Sequence, residues 1–453
     1  MVGRDSAVDP SAVTLRRLTL PPGACNLIPD MRYSRLFGKT SKNAPSDADS
    51  ANARLLEQAG FVDHLMAGVF TYLPLGLRIL DRVKSIVREE MNALGAQEIL
   101  MPALHPAEPW KQTGRWTDPG PEVMFQFRGR GEKEMGLGWT HEEIVTPLAR
   151  KFIRSYRDLP FAVYQIQDKF RNEPRAKSGL LRGREFSMKD LYSFHRDEAD
   201  LEAYYLRVQG AYSRIFSRCG LHALQVEASG GAFSKYSHEY QVLTESGEDV
   251  VFYCGKCEYA QNREIAEIKA GEPCPKCGGD VKEGKAIEVG NIFRLKTRFT
   301  DAFEVTYADE DGSKKDVLMG CYGIGPSRVM GAVAEVHHDD KGLVWPKTVA
   351  PYMVHIVPLA SKDETVRKAV EDAVLKVESA LSSRGLEPLV DDRDLQAGAK
   401  FADADLIGCP LRLVISEKTL KTESVEWKER SSSEAKLVPL AGLVEDVAAW
   451  AKE

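Results

Sequence analysis

Residues 170–186 read Phe-Arg-Asn-Glu-Pro-Arg-Ala-Lys-Ser-Gly-Leu-Leu-Arg-Gly-Arg-Glu-Phe, and this stretch decides how the rest of the chain is read. Arg171 and Glu173 stand with one residue between them, and a polar loop containing Gly179 leads back to Arg182 and Phe186. The two arginines offer planar, permanently charged forks that suit phosphate oxygens. Glu173 can accept from an exocyclic amine, and Phe186 presents a flat face to a base. Arginines alone would read as a solvated basic loop; two forks, a carboxylate and a ring in one hairpin describe a nucleotide site.

The surrounding 453 residues allow two or three domains, because single cores rarely grow beyond about 250–300 residues. Composition is that of an ordinary globular protein. No apolar run approaches the ~20 residues of a membrane span and no secretory core opens the chain, so a cytoplasmic protein is expected. A net charge of −6 argues against bulk attraction to nucleic acid, so RNA contacts must come from local basic patches such as 169–189. Residues 1–30 lack periodicity and contain Pro21-Pro22-Gly23. They read as a disordered extension or an over-long start, with a targeting peptide as the weaker reading on account of Arg16 and Arg17.

Leu77, Leu80, Val83, Ile86, Val87, Met91 and Leu94 form a helical stripe that ends before Gly95, and Gln97–Pro102 reads as a strand closed by proline. A helix is expected over 201–219, with strands around 223–226 and 250–253. Met319-Gly-Cys-Tyr-Gly-Ile-Gly-Pro-Ser-Arg328 is a Gly-rich turn opening a helix through Ala334, with Arg328 on its first turn. Residues 344–351, with two prolines, read as a linker. Beyond it strands (354–359, 387–390, 411–415, 425–427, 436–439) alternate with helices (363–383, 401–407, and one from Leu440), which implies a compact α/β domain with a mixed sheet. Asp391, Asp392, Arg393 and Lys400 lie near a strand end, suited to base edges and phosphates or equally to a solvated loop.

Cys254-x-x-Cys257 and Cys274-x-x-Cys277 are paired knuckles suited to tetrahedral thiolate ligation, so a structural Zn²⁺ is expected; a metal-free relic is the alternative. Four sulfur ligands leave no open position, which argues against a catalytic metal. Cys25, Cys219, Cys321 and Cys409 are scattered and read as small buried or incidental residues.

The opening stretch, ending as Arg182-Gly-Arg-Glu-Phe186, resembles motif 2 of the class II aminoacyl-tRNA synthetases. The wider run Leu180–His195 is similar to the bacterial type of prolyl-tRNA synthetase, a likeness that extends from about Met31 to the C-terminus. The helix and strand at 75–102 resemble motif 1, which builds the dimer interface in that family, and 319–328 resembles motif 3. The resemblance implies an α/β protein: an α+β catalytic core with an antiparallel sheet flanked by helices, then an anticodon-binding domain with a mixed sheet. Expected units are the extension 1–30, a catalytic domain at 31–253 and 286–345, a Cys-rich insertion at 254–285, and the anticodon-binding domain at 352–453.

By the same resemblance the chain is expected to be a proline–tRNA ligase that uses ATP with Mg²⁺, L-proline and tRNA(Pro) and works as a homodimer. Arg171 and Arg328 carry catalysis: Arg171 grips the α-phosphate, while Arg182 and Arg328 hold the β and γ end. Phe186 and Arg328 sandwich adenine, and Glu173 accepts from its amine. Trp139-Thr-His-Glu-Glu143 resembles the family's Thr-x-Glu loop, so Thr140 and Glu142 bind the imino group, and Ser237-His238-Glu239 places His238 and Glu239 near that pocket. Asn291 stands where many relatives have His. Many bacterial relatives also carry a large editing domain between motifs 2 and 3; the short stretch from Glu264 to Val289 has no room for one, so deacylation of alanyl-tRNA(Pro) is not expected. The competing readings are a tRNA-binding relative without catalysis, and a ligase for threonine, serine, glycine or histidine.

Overall fold

The computed structural model describes residues 31–46, 48–231, 233–234 and 236–452, so the expectation for residues 1–30 lies outside the described residues. Its centre is a nine-stranded sheet in the order Tyr236–Leu243, Ala223–Ser229, Ala260–Asn262, Asp249–Cys254, Val281–Lys296, Leu318–Ile324, Glu185–His195, Phe161–Phe170, Gln97–Glu98, with Tyr236–Leu243 also pairing directly with Val281–Lys296. Neighbours are antiparallel except at Ala260–Asn262 against Ala223–Ser229 and at Gln97–Glu98 against Phe161–Phe170. Side chains alternate between two covered faces, as period two requires. Leu191, Ile292, Tyr322 and Ile324 pack on helices Pro74–Ala93, Glu198–Arg218 and Pro326–Val336. Their neighbours Tyr192, Phe293 and Cys321 join a second cluster with Val145, Ala149 and Phe299 on the opposite face.

The helix expected from the stripe at 77–94 runs Pro74–Ala93, with Pro74 in its first turn and Gly95 at φ +81° closing it. Its buried stripe is Leu75, Ile79, Leu80, Val83, Ile86, Val87 and Met91; Leu77 faces outward at 46% exposure. The strand expected over 97–102 is shorter, because the chain leaves the ladder after Glu98 and Met101 N donates instead to Gln165 Oε1 at 2.9 Å.

The C-terminal sheet runs Pro388–Val390, Val354–Pro358, Leu411–Ile415, Ser424–Glu429, Lys436–Pro439. The first three strands are parallel and the last two antiparallel, the mixed sheet expected from the alternating pattern. Segment 344–351 is no free linker. Trp345 is buried, packs on Phe61 and donates its indole N–H to Ile407 O at 3.0 Å. One hydrophobic cluster therefore runs from Ile79 to Leu389 and Ile407 without a break.

A strap from Met31 to Thr40 reinforces this junction. Val390 N donates to Met31 O, Ser34 donates N–H and O–H to Asp392 at 2.9 and 2.6 Å, and Thr40 bonds Asp403 at 2.7 Å. The Tyr33 ring lies under the Arg393 guanidinium, 3.6 Å from its centroid, and parallel to the His355 ring.

Candidate active site

Strands Phe161–Phe170 and Glu185–His195 pair in register up to Phe170 against Glu185, so the loop between them leaves from the sheet edge with Arg171 and Phe186 on facing strand ends. The Arg171 guanidinium sits over the Phe186 ring at 5.1 Å, and its Nε is buried with no hydrogen-bond partner among the described residues. Burial, with the nearby charge of Arg328, lowers the Arg171 pKa to about 10. Such a site favours an arriving anion, which would relieve both penalties. Arg328 enters from the first turn of helix Pro326–Val336 and is held by Glu288, to its backbone O at 3.0 Å and its Oε2 at 3.4 Å.

The motif loop is braced from outside by the hairpin Val62–Met66 and Val69–Tyr72, whose tip residue Gly68 accepts from Arg184 N at 2.8 Å. Gly68 has φ +75°, and a Cβ there would stand 2.7 Å from Ala176 Cβ and 2.8 Å from Arg184 N. Only glycine permits that approach.

Arg171, Phe186 and Arg328 line a cavity of about 270 Å³ whose other end is formed by Thr140, Asp190, Phe233, Phe293 and Cys321. Thr140 Oγ1 donates to Glu142 Oε2 at 2.6 Å and the Cys321 thiol reaches Glu142 Oε1 at 3.2 Å, so Glu142 stands immediately behind this wall, fully buried. The Phe233 and Phe293 rings, 4.7 Å apart, make an apolar side. Asp190 is buried against Lys169 at 2.8 Å and accepts from Gln165 and Tyr192, both at 2.9 Å. Burial alone would raise its carboxyl; the Lys169 ammonium and the Gln165 amide outweigh that and lower it.

Other expected site residues lie elsewhere. Glu173 and Arg182 are paired at 3.0 Å, with Arg182 also reaching Glu248 at 2.6 Å, beside the cavity and not in its lining. His238 and Glu239 lie one strand back. The His238 ring and the Tyr205 hydroxyl share a hydrogen bond at 2.7 Å, and Glu239 sits across the ladder from Asn291, which lines the cavity and donates its amide N–H to Glu239 at 3.4 Å. Burial, with Glu288 close by, pushes the Glu239 carboxyl up to about 8.

In the C-terminal domain the four expected anticodon contacts are engaged within the protein, Asp391 and Lys400 buried, Arg393 half-buried and Asp392 exposed. Asp391 holds Arg393 in a two-point pair at 2.8 and 2.7 Å, Asp392 takes Ser34, and Lys400 donates to Pro358 O and Asp391 O. Sequence reading missed Arg115, Asp190, Phe233 and Glu288. Asp190 and Glu288 sit beside quoted motifs and could have been sought at strand ends. Arg115, in Thr113-Gly-Arg-Trp116, carries no periodic or spacing signal.

The four cysteines do converge: Cys254, Cys257, Cys274 and Cys277 bring their sulfurs within 4.8 Å of one another, with Cys254–Cys277 at 3.5 Å and Cys257–Cys274 at 3.6 Å. A tetrahedron of thiolates around Zn²⁺ has edges of about 3.8 Å, so the donor set fits that ion.

Residues 125–337 match the family described as tRNA synthetase class II core domain (G, H, P, S and T), and residues 353–450 match the anticodon binding domain. Sheet, pocket and matched core together define a class II aminoacyl-tRNA synthetase. Giardia lamblia prolyl-tRNA synthetase, solved in complex with prolyl-adenylate, shares the fold with a TM-score of 0.73 at 20% identity, over 88% of this chain and 78% of that one. The proline–tRNA ligase of Pelotomaculum thermopropionicum is 35% identical over 574 aligned positions, which take in 93% of this chain and all of the relative. That of Dehalococcoides mccartyi strain CBDB1 is 34% identical over 569, with 93% and 99% covered. The chain belongs to the proline–tRNA ligase family.

Proposed function

We propose that this chain activates L-proline with ATP to prolyl-adenylate and transfers the prolyl group to the 3′ end of tRNA(Pro). One observation carries the reading: a single cavity joins an arginine–phenylalanine end, Arg171, Phe186 and Arg328, to an end where Thr140 fronts the buried carboxylate of Glu142. Attack of the proline carboxylate on the α-phosphorus needs alignment and charge neutralisation, not a strong base. Arg171 holds the α-phosphate, with Arg328 over adenine and at the terminal phosphate. Glu173 and Arg182 would part to take the adenine amine and the β and γ phosphates. Thr140 and Glu142 hold the ammonium while Phe233 and Phe293 enclose the ring methylenes, and Glu239 acts through Asn291. Glu288, paired with Arg328 in this structure, would hold Mg²⁺, which when bound would neutralise phosphate charge. In the second step the terminal ribose hydroxyl is held against the activated carbonyl.

Residues 352–453 would read the anticodon, with Asp391, Asp392, Arg393 and Lys400 shaping the loop that presents it. We read residues 31–253 with 286–345 as the catalytic unit and 254–285 as an insertion closed by a structural Zn²⁺. A cytoplasmic homodimer is the expected working state; the exposed Leu100 within the motif 1-like segment and Leu104 just beyond it support the dimer. The alignment with the first relative spans 574 positions against 453 residues here, so at least 121 of them have no counterpart in this chain. That difference supports the absence of an editing domain in cis, and purified protein is expected to leave alanyl-tRNA(Pro) intact; its rapid hydrolysis would overturn this point.

ATP–pyrophosphate exchange against all twenty amino acids tests the main reading. Exchange with proline, and more weakly with alanine, is expected. Exchange with another amino acid alone would reassign the substrate, and none at all would leave a tRNA-binding relative.

A further inference from the structure

Two neighbouring acids open helix Glu142–Arg150, and both Glu142 and Glu143 are fully buried. Two carboxylates this close and this dry cannot both stay ionised without a cation. Among the described residues Arg115 is the cation that touches both: its Nη1 lies 3.2 Å from Glu142 Oε2 and 3.0 and 3.2 Å from the two oxygens of Glu143. The guanidinium is itself only 2% exposed and is enclosed by the rings of Trp139, Phe233, Phe299 and Trp110 at 4.3, 5.0, 5.2 and 5.5 Å. Its Nε and Nη2 have no hydrogen-bond partner among the described residues, so the contact to the acids is its polar anchorage.

The two acids are not equivalent. Glu143 is tied by both oxygens to Arg115 and takes the Thr113 hydroxyl at 2.9 Å. Glu142 shares Arg115 through Oε2 alone, and its Oε1 faces the thiol of Cys321, a cavity-lining residue. Two ionised acids against one guanidinium leave a single negative charge, and geometry puts it on Glu142, whose two oxygens meet the cavity-lining Thr140 and Cys321. Burial raises the Glu143 carboxyl, Arg115 opposes the rise and Glu142 adds to it, as expected if the three groups share one charge balance.

We propose that Arg115 is a positioning residue that sets the charge of the amino-acid pocket: it neutralises Glu143 and so leaves Glu142 one negative charge, which a secondary ammonium substrate cancels. This rests on the reading of Glu142 as the ammonium's acceptor. The arrangement selects a cationic substrate head because a neutral one would leave the charge buried and uncompensated.

Proline- and ATP-dependent pyrophosphate exchange on the full chain tests it with Glu142→Gln, Glu143→Gln, Arg115→Met and the double variant Arg115→Met/Glu143→Gln. Glu143→Gln alone leaves Arg115 free to cancel Glu142, so the KM for proline should rise about tenfold or more while the KM for ATP stays put. The double variant removes one charge of each sign and should bring the proline KM back towards wild type. A loop that Arg115 merely props up would instead be worse in the double than in either single variant, and that result overturns the proposal. An unchanged proline KM in Glu142→Gln defeats the ammonium reading itself, whereas a raised KM there without recovery in the double defeats only the role of Arg115. Should the variants with Arg115→Met fail to fold, Glu143→Gln decides alone: an unchanged proline KM rejects the charge balance.

Discussion

At the scale of single residues, the cavity concentrates costs that only a ligand relieves. Arg171 is desolvated, faces Arg328 and keeps an Nε with no partner among the described residues, so its guanidinium is a fork held ready for phosphate oxygens. Arg171→Lys keeps the charge but loses the fork. Loss of one charge-stabilising donor costs on the order of 10²–10³ in kcat, and single-turnover adenylate formation is expected to fall by that amount with the fold intact by circular dichroism. These residues were legible because Arg171 and Phe186 need only one hairpin to meet. Arg115 was not, because its partners Glu142 and Glu143 lie 27 and 28 positions away and only the fold brings them together. His238 and Glu239 were placed near the pocket from their order along the chain; the sheet sets them one strand back, a distinction that order does not carry.

At the scale of elements, the hairpin tip at Gly68 and the cysteine knuckles control loops that bear on the site. Gly68→Val would force a side chain into Ala176 and Arg184 at a left-handed φ. Overpacking of this kind costs about 1–3 kcal/mol, and because the strain falls on the motif loop, the KM for ATP should rise more than the KM for proline. The knuckles close the ends of strands Asp249–Cys254 and Val281–Lys296, and the second of these carries Glu288 and Asn291 to the cavity. Prolonged chelation should therefore release about one equivalent of zinc, measured by inductively coupled plasma spectrometry, and lower thermal stability. A purified active chain with no zinc would show that the cluster is held by its strands. The helices and strands that were expected from periodicity lie within a few residues of their places, while helices Ala51–Gln58 and Glu142–Arg150 and strands Phe161–Phe170 and Val281–Lys296 were not among those expected. Leu77 and the strand at 97–102 departed because an outward-facing leucine and an early exit from the ladder depend on neighbours, not on local pattern.

At the scale of the molecule, the two domains share one hydrophobic cluster, and the segment expected to be a linker is buried within it. The engagement of Asp391, Asp392 and Arg393 within the protein was invisible in the sequence because the strap that takes Asp392 lies 358 positions earlier. Unfolding should be one cooperative transition by calorimetry and not two. Its acid side should be steep, because burial lowers the pKa of His355 and His105 to about 4 and of His141 to about 3. Each binds a proton when unfolded near pH 6.5 but not when folded, so stability is full above that pH and falls as pH drops towards 4, by about 1.4 kcal/mol per unit per histidine. His355→Phe, which keeps a ring against Tyr33 and removes the proton, should reduce the slope of unfolding free energy against pH by one proton over that window. The strap has a consequence for synthesis too. At roughly 5–20 residues per second, about 20 to 70 seconds separate the emergence of Ser34 from that of Asp392. For most of that interval Tyr33 has neither Arg393 nor His355 to lie between, so the first described residues of the chain are among the last to reach their final place, and a translating ribosome carries a catalytic half whose seam stays open until its final domain has been made.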